Sequence, residues 1–326
     1  MSDATIAAGA EVVGVMKMET LRQRADLLDK TRAFFKQRGF LEVETPLAAA
    51  EAIPEQHIQL STIDDGRRVL QASPEMHHKR LLCAGAGSLF EVTKSFRGYE
   101  VGRLHNPEFT ILEWYQVDKG LDDAIALTEA LFQTLLKAPP FRRTTYREAF
   151  GPLGIDPHTA MVEELRELAL SRSPSAVEPF ESDDRDEWLN VLLALCVEPT
   201  LGVEAPEVLY DYPATQASLA KTVVDGEGAE VAQRFEVYWR GMELANGYEE
   251  LTDAVALRRR LEIANTQRVA AGWPVVPMPE RLLSEMVDPG LPPCAGVAIG
   301  FDRIVMLATG AQSIGEVRAF AESRRV

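Results

Sequence analysis

The chain has 326 residues and a formal net charge of −16, from 34 lysines and arginines against 50 aspartates and glutamates. A field of that sign repels a phosphate backbone at long range and disfavours a broad nucleic-acid footprint unless basic residues segregate on one surface. No apolar run reaches membrane-spanning length, and Cys83, Cys196 and Cys294 lie far apart without CxxC spacing, which argues against a disulfide framework or structural zinc and for a reducing cytoplasm.

In chain order, residues 1–18 lack the basic start of a signal peptide and are expected to form a flexible tail. From Thr20 to Arg38, Leu21, Ala25, Leu28 and Phe35 recur at helical spacing with Arg32 out of pattern, and Gly39 supplies the stop. QASPEMHHKRLL, residues 71–82, follows as a helix on which the adjacent His77 and His78 face different ways, a poor arrangement for shared metal ligation. Gly85-Ala86-Gly87 lacks a third glycine and no GK[ST] follows a glycine-rich loop, which excludes Rossmann and P-loop chemistry.

Residues 90–115, FEVTKSFRGYEVGRLHNPEFTILEWY, carry the strongest signal. Period-two spacing puts Glu91, Thr93, Ser95 and Arg97 on one face of a strand and Phe109, Ile111, Glu113 and Tyr115 on one face of its return. Polar groups stand where a buried sheet would carry aliphatics, as a site for a nucleotide and a small cation requires. The stretch from about 122 to 200 reads as helical, through Leu127, Leu131, Leu135, Leu165 and Leu168, with SRSPS and ESDDRDE as surface loops. In residues 234–251, Glu236, Glu243 and Glu250 recur every seven residues, and a turn near Gly241 can bring the first two together across a hairpin, although three glutamates in an acidic chain are, taken alone, most often solvated. Arg258, Arg259 and Arg260 fall on a helix, 252–271, as a solvated face, and residues 296–306 read as a strand running into a helix with Arg303 in its first turn.

Three of these segments, in order, resemble the class II aminoacyl-tRNA synthetases, in particular the lysyl branch. GFLEVETP, residues 39–46, is similar to motif 1, a dimer-interface helix and strand; Arg97 with HNPEF and Glu-Trp-Tyr is similar to motif 2; GVAIGFDRIVM is similar to motif 3. The resemblance implies an α+β fold, a mainly antiparallel sheet flanked by helices, as one catalytic domain over 19–326 with a helical insertion at about 122–200, and a homodimer. It implies ATP and Mg²⁺ as cofactors, with Glu236 and Glu243 on the metal. Arg97 and Arg303 would be the catalytic charges, and Arg103, His105, Asn106, Phe109, Glu243, Leu244 and Gly300 would complete the nucleotide site. The family places Asn-Glu after the motif 2 arginine, whereas this chain has Gly98-Tyr99 and then Glu100, so either Tyr99 or Glu100 is expected at adenine. The loop arginine Arg103 is set off from His105 by Leu104, where the lysyl enzymes have the two adjacent, and His105 either orders the loop or touches phosphate.

The substrate side, by the same resemblance, comprises Ser73, Glu75, Tyr115, Asn246, Glu250 and Ala298. Glu75 would meet the amine near the carboxylate, Glu250 the distal ammonium and Asn246 the carboxylate. Ala298 stands where lysyl-tRNA synthetases usually have glycine; its methyl would disfavour α-lysine and fit a displaced amine, or it is simply a small residue packed in a strand. With a helix starting at Thr20, the anticodon-binding domain of the lysyl enzymes is not expected ahead of it, and tRNA is not the expected acceptor. Stand-alone relatives of this length attach (R)-β-lysine to a lysine of elongation factor P, and ELANG, PATQASLA and KRLLCAG are similar to theirs. The competing expectations are a truncated lysyl-tRNA synthetase and a non-catalytic regulatory subunit, the latter signalled by loss of arginines and glutamates that are all present; an asparagine synthetase would need basic groups where Glu75 and Glu250 stand.

Overall fold

The computed structural model describes residues 16–98, 100–177 and 182–320. Tyr99 and residues 1–15 of the expected tail lie outside those described.

Helix α1, Met18–Lys36, buries Leu27, Phe34 and Phe35. Arg32, out of the apolar pattern, turns to Glu42 at 2.7 Å. Gly39, at φ +79°, ends the helix in a conformation that side chains resist. Strand β1, Leu41–Glu42, then joins the main sheet, while β2 (Ala48–Ala49), β3 (Thr62–Ile63) and β4 (Arg68–Leu70) form a small sheet of three in the order β2-β4-β3. Helix α2 (Glu75–Cys83) precedes the hairpin of β5 (Leu89–Phe96) and β6 (Glu108–Val117). Its register pairs Glu91 with Glu113, Thr93 with Ile111 and Ser95 with Phe109, so the polar face expected from alternation forms.

Helix α3, Leu121–Leu136, packs Ala124, Ile125, Leu131 and Phe132 into the same core as Phe35, Phe90 and Trp114. The expected insertion therefore does not begin at 122. After β7 (Arg142–Thr145), which closes one edge of the sheet, α4 (Tyr146–Phe150), α5 (Val162–Arg172), α6 (Pro174–Val177) and α7 (Arg185–Leu192) gather around a separate core of Tyr146, Phe150, Leu165, Trp188 and Leu192. SRSPS is correspondingly not a plain loop: it runs from the end of α5 into α6.

The remaining elements are β8 (Glu207–Pro213), β9 (Thr222–Val224), β10 (Glu230–Trp239), β11 (Met242–Glu249), α8 (Ala254–Ala270), α9 (Glu280–Glu285), β12 (Cys294–Gly300) and α10 (Phe301–Thr309). The sheet order is β1-β5-β6-β12-β11-β10-β8-β7, with β9 pairing β10, and only the β1–β5 and β7–β8 pairs are parallel among the described residues. Alternation decides what each face carries. Leu112, Trp114, Phe235, Val237, Val297 and Ile299 enter the helix-covered core, each contributing roughly 1.5–3 kcal/mol by burial. Their neighbours Glu113, Tyr115, Arg234, Glu236, Asn246, Tyr248 and Ala298 turn to the other face, where the cleft lies.

Candidate active site

A cleft of about 390 Å³ opens on the polar face of the sheet. Of the expected residues, Ser73, Glu75, Arg97, Glu100, His105, Asn106, Phe109, Glu236, Glu243, Leu244, Asn246, Ala298, Gly300 and Arg303 line it.

One end is cationic. Arg97 follows β5, and its backbone is held by the Pro107 carbonyl at 2.9 Å. Its guanidinium lies 5.2 Å from the centre of the Phe109 ring, and its buried Nε has no hydrogen-bond partner. No carboxylate pairs with it among the described residues, so the planar fork is open to an incoming anion. Arg303, in the first turn of α10, donates to the Glu243 carbonyl and meets His105 Nε2 at 2.8 Å. Burial and the Arg303 charge hold the imidazole below its ordinary range, so the neutral ring accepts from the guanidinium. Asp302 anchors this helix by accepting from the Thr110 amide at 2.9 Å and pairing with Arg24 at 2.7 Å.

Two expectations change at this end. Arg103 does not line the cleft; its guanidinium reaches the Gln312 carbonyl at 3.3 Å, because Leu104 intervenes and turns into the cleft instead. Asn106 donates to the Glu108 carbonyl at 2.8 Å and so braces the loop as well as lining the cleft.

Glu236 and Glu243, the two carboxylates expected at the metal, both face the cleft but differ in their engagement. A bulge between Val237 and Tyr238 places Glu236 opposite Asn246 and Glu243 opposite Tyr238. Glu236 already accepts from Arg234 at 2.5 Å, from Tyr212 at 2.7 Å and from Tyr238. Glu243 is 43% exposed against 9% for Glu236, with Arg303 3.7 Å away. Partial desolvation within the cleft, and then the Glu236 charge, raise the Glu243 carboxyl, a pressure that a cation relieves. An exposed carboxylate backed by a second one suits Mg²⁺, which takes one or two carboxylates and leaves the rest of its shell to water and phosphate.

The other end is acidic and holds a group that sequence reading passed over. Ser73 donates to Glu113 at 2.5 Å and Tyr115 donates to the same carboxylate at 3.0 Å. Lys79, one helical turn after Glu75, places its ammonium 2.6 Å from Glu75 and 2.7 Å from Glu250. Glu250 and Tyr115 consequently lie behind the cleft wall rather than in it: a lysine of the chain occupies the space between the two expected substrate carboxylates. Behind them His78 bridges Glu91 at 2.9 Å and Glu113 at 3.4 Å. Burial works against the imidazolium, but these two carboxylates raise His78 above its usual range, so His78 is a member of this buried network. Gly296 admits this crowding, since a Cβ there would run into the Tyr115 ring and Glu250. Asn246 Oδ1 is buried without a partner, and Ala298 lies beside it in register on β12.

Glu113 was visible on the period-two face of the hairpin, and Lys79 only as an i, i+4 partner of Glu75. Glu55 and Arg234 also line the cleft; Glu55 sits in an irregular loop with no periodic signal, and Arg234 showed only as a neighbour two residues before Glu236.

The family of class II tRNA synthetases (D, K and N) matches residues 12–324. The elongation factor P–(R)-beta-lysine ligase of Klebsiella pneumoniae strain 342 is 44% identical over 313 residues, 93% of this chain and 95% of that protein. The protein of the same name from Salmonella gallinarum strain 287/91 is 42% identical over the same shares.

Proposed function

Because the chain belongs to the class II tRNA synthetases of the D, K and N group, we propose that it is the ATP-dependent ligase that activates (R)-β-lysine as an aminoacyl-adenylate and transfers it to a lysine side chain of elongation factor P. The observation that carries this reading is one cleft with unpaired guanidinium at one end and buried carboxylates at the other, in a chain 44% identical along 93% of its length to a ligase of that name.

Arg97 forks between the α-phosphate and the substrate carboxylate, two anions that repel each other as they approach. Arg303 adds charge where pyrophosphate leaves, and His105, with Asn106, shapes the loop around it. Phe109 offers a face to adenine, with Leu244, Gly300 and Glu100 around the nucleoside. Glu243, backed by Glu236, would hold Mg²⁺, which would neutralise phosphate charge. Asn246 meets the amino-acid carboxylate, Glu75 and Ser73 the nearer amine, and Tyr115, through Glu113, and Glu250, through its pairing with Lys79, act on the distal ammonium from behind the wall. Ala298 narrows the wall beside the substrate backbone.

An edge strand, β1, with Leu41 and Leu47 exposed beside it, supports a homodimer through the motif 1 region. No helix among the described residues is long and apolar enough to cross a membrane, and the reaction belongs in the cytoplasm with its acceptor. The acidic balance of the chain favours a protein acceptor over tRNA. Incubation with ATP, Mg²⁺, each lysine isomer and either elongation factor P or tRNA, followed by mass measurement of the products, tests the reading. A mass gain on the factor with (R)-β-lysine is expected; transfer to RNA alone would overturn it.

A further inference from the structure

A second cleft, of about 620 Å³, lies beside the first between the loop 50–61, the residues that follow β8, and α8. The two clefts share Glu55, Ile58, Arg234, Asn246 and Tyr248, so a side chain entering the second arrives at the amino-acid end of the first. Glu55 stands at this neck. Its backbone is fixed, because the buried Arg268 donates to the carbonyls of Glu55 and Ile58 at 2.7 and 2.6 Å, and the Gly98 amide donates to that of Gln59 at 2.8 Å. Its carboxylate, by contrast, has no hydrogen-bond or ion-pair partner among the described residues, whereas Glu75, Glu113, Glu236 and Glu250 are all engaged. Asp184, Asp186 and Glu187 also line the second cleft. The arginines in the lining are already engaged, Arg260 by the carbonyls of Ser218 and Ala220 and Arg234 by Glu236 and the Gln216 carbonyl. Carboxylates along the second cleft and a free acid at the neck suit a lysine-bearing segment and oppose a phosphate chain.

We infer that the acceptor lysine enters through this second cleft and that Glu55 receives its ammonium and removes a proton from it. The inference rests on the ligase reading above and supplies the step that reading lacks. An acceptor amine has a reference pKa near 10.4 and is protonated at neutral pH. Glu55 takes one proton from the ammonium; the neutral amine attacks the acyl carbon of the adenylate; the C–N bond forms as the bond from that carbon to the phosphate oxygen breaks. The electron pair leaves with AMP, and the second proton on nitrogen passes to the departing phosphate or to water. Burial pushes the Glu55 carboxyl up to about 7, with Arg97 and Arg234 opposing and Glu75 and Glu113 adding; Tyr248 and Arg268 also feel its charge, and His57 and Glu100 share the clefts that it lines. A base poised there is charged at working pH yet still basic enough to accept a proton.

The test uses the full chain with ATP, Mg²⁺, (R)-β-lysine and elongation factor P, and follows ATP–pyrophosphate exchange and single-turnover transfer in parallel from pH 6 to 9. Wild-type transfer is expected to rise through about pH 7 as Glu55 ionises. In Glu55→Gln the levelling above about pH 7 is replaced by a rise that continues to pH 9, because the acceptor amine, with a reference pKa near 10.4, must lose its proton to solvent; at pH 7 transfer slows on the order of a hundredfold, well beyond any loss of exchange, and Glu55→Asp restores part of it. Hydroxylamine, a nucleophile that is neutral at this pH, discharges the adenylate of Glu55→Gln as fast as that of the wild type. Glu187→Lys raises the KM for the acceptor. Equal loss of exchange and transfer, slowed discharge by hydroxylamine, or an unaltered pH rise would each overturn the assignment. Absence of exchange with (R)-β-lysine in the wild type would instead sink the ligase reading, and this one with it.

Discussion

Lys79 and Glu250 form an ion pair of 2.7 Å in which each side chain is only 1% exposed. The pair closes the acidic end of the cleft from behind, and it ties α2 to the residue that follows β11 across the sheet. Lys79 keeps its proton far above the usual lysine range: burial opposes the charge, but Glu250 and Glu75 outweigh it.

Removing the ammonium should therefore be costly. Lys79→Met leaves Glu75 and Glu250 buried without their cation, and breaking a buried pair from one side typically costs about 3–5 kcal/mol. Denaturant unfolding with a matched m-value measures it. A loss below about 1 kcal/mol, the range of exposed pairs, would show that water already reaches the cluster.

Proton release on substrate binding should follow from the same cluster. Burial pushes Glu250 up to about 8, with Lys79 opposing and Glu75 adding, and Glu75 is likewise raised. Near neutral pH the free site thus holds a proton that an arriving ammonium displaces. Because the free state carries more protons than the bound one, affinity for the diamino acid should increase with pH, by up to roughly tenfold per unit, and level off above about 8. Calorimetry in buffers of different ionisation enthalpy reads the released proton directly; identical heats in all buffers would refute it.

Arg97→Ala should separate catalysis from stability. The guanidinium has an unpartnered Nε and no carboxylate partner among the described residues, so its removal strands no buried charge. ATP–pyrophosphate exchange should fall by about a hundredfold or more while the melting temperature barely moves. Retained exchange would remove Arg97 from the reacting centre.

Ala298→Gly should relax discrimination between lysine isomers. Ala298 lines the cleft beside Asn246, and one methyl in a pocket is worth about 1–3 kcal/mol of selectivity. The ratio of kcat/KM for (R)-β-lysine over α-lysine should fall by roughly tenfold. An unchanged ratio would make Ala298 a packing residue only.

Much of this architecture can be read in the sequence where chemistry follows a local period. The hairpin of β5 and β6 follows a period of two, with Lys94 and Ile111 as exceptions, so Arg97, Phe109, Glu113 and Tyr115 could be put on one face before any fold was known, and Arg303 follows from a strand that runs straight into a helix. The limits of the insertion could not be read in this way. Helices α3 and α4–α7 share the same apolar spacing and differ only in which core receives them: Phe132 joins Phe35 and Trp114, whereas Leu165 joins Trp188 and Tyr146. Arg103 misses the cleft for a comparable reason, because the direction of one loop residue is set by its contact with Gln312 and not by its place in a motif.

The amino-acid sequence by itself determined the sheet's polar face and the identity of the charges at both ends of the cleft, since side-chain period and residue type are local properties of the chain. Only the tertiary structure decided which of those charges are spent on one another. Lys79 pairs with both Glu75 and Glu250, the tyrosines and Arg234 occupy Glu236, and Glu55, 213 positions from the Arg268 that secures its backbone, keeps an unengaged carboxylate. Pairing energies depend on distance and burial between segments remote in the chain, and those quantities come into being only when the strands and helices close around one another.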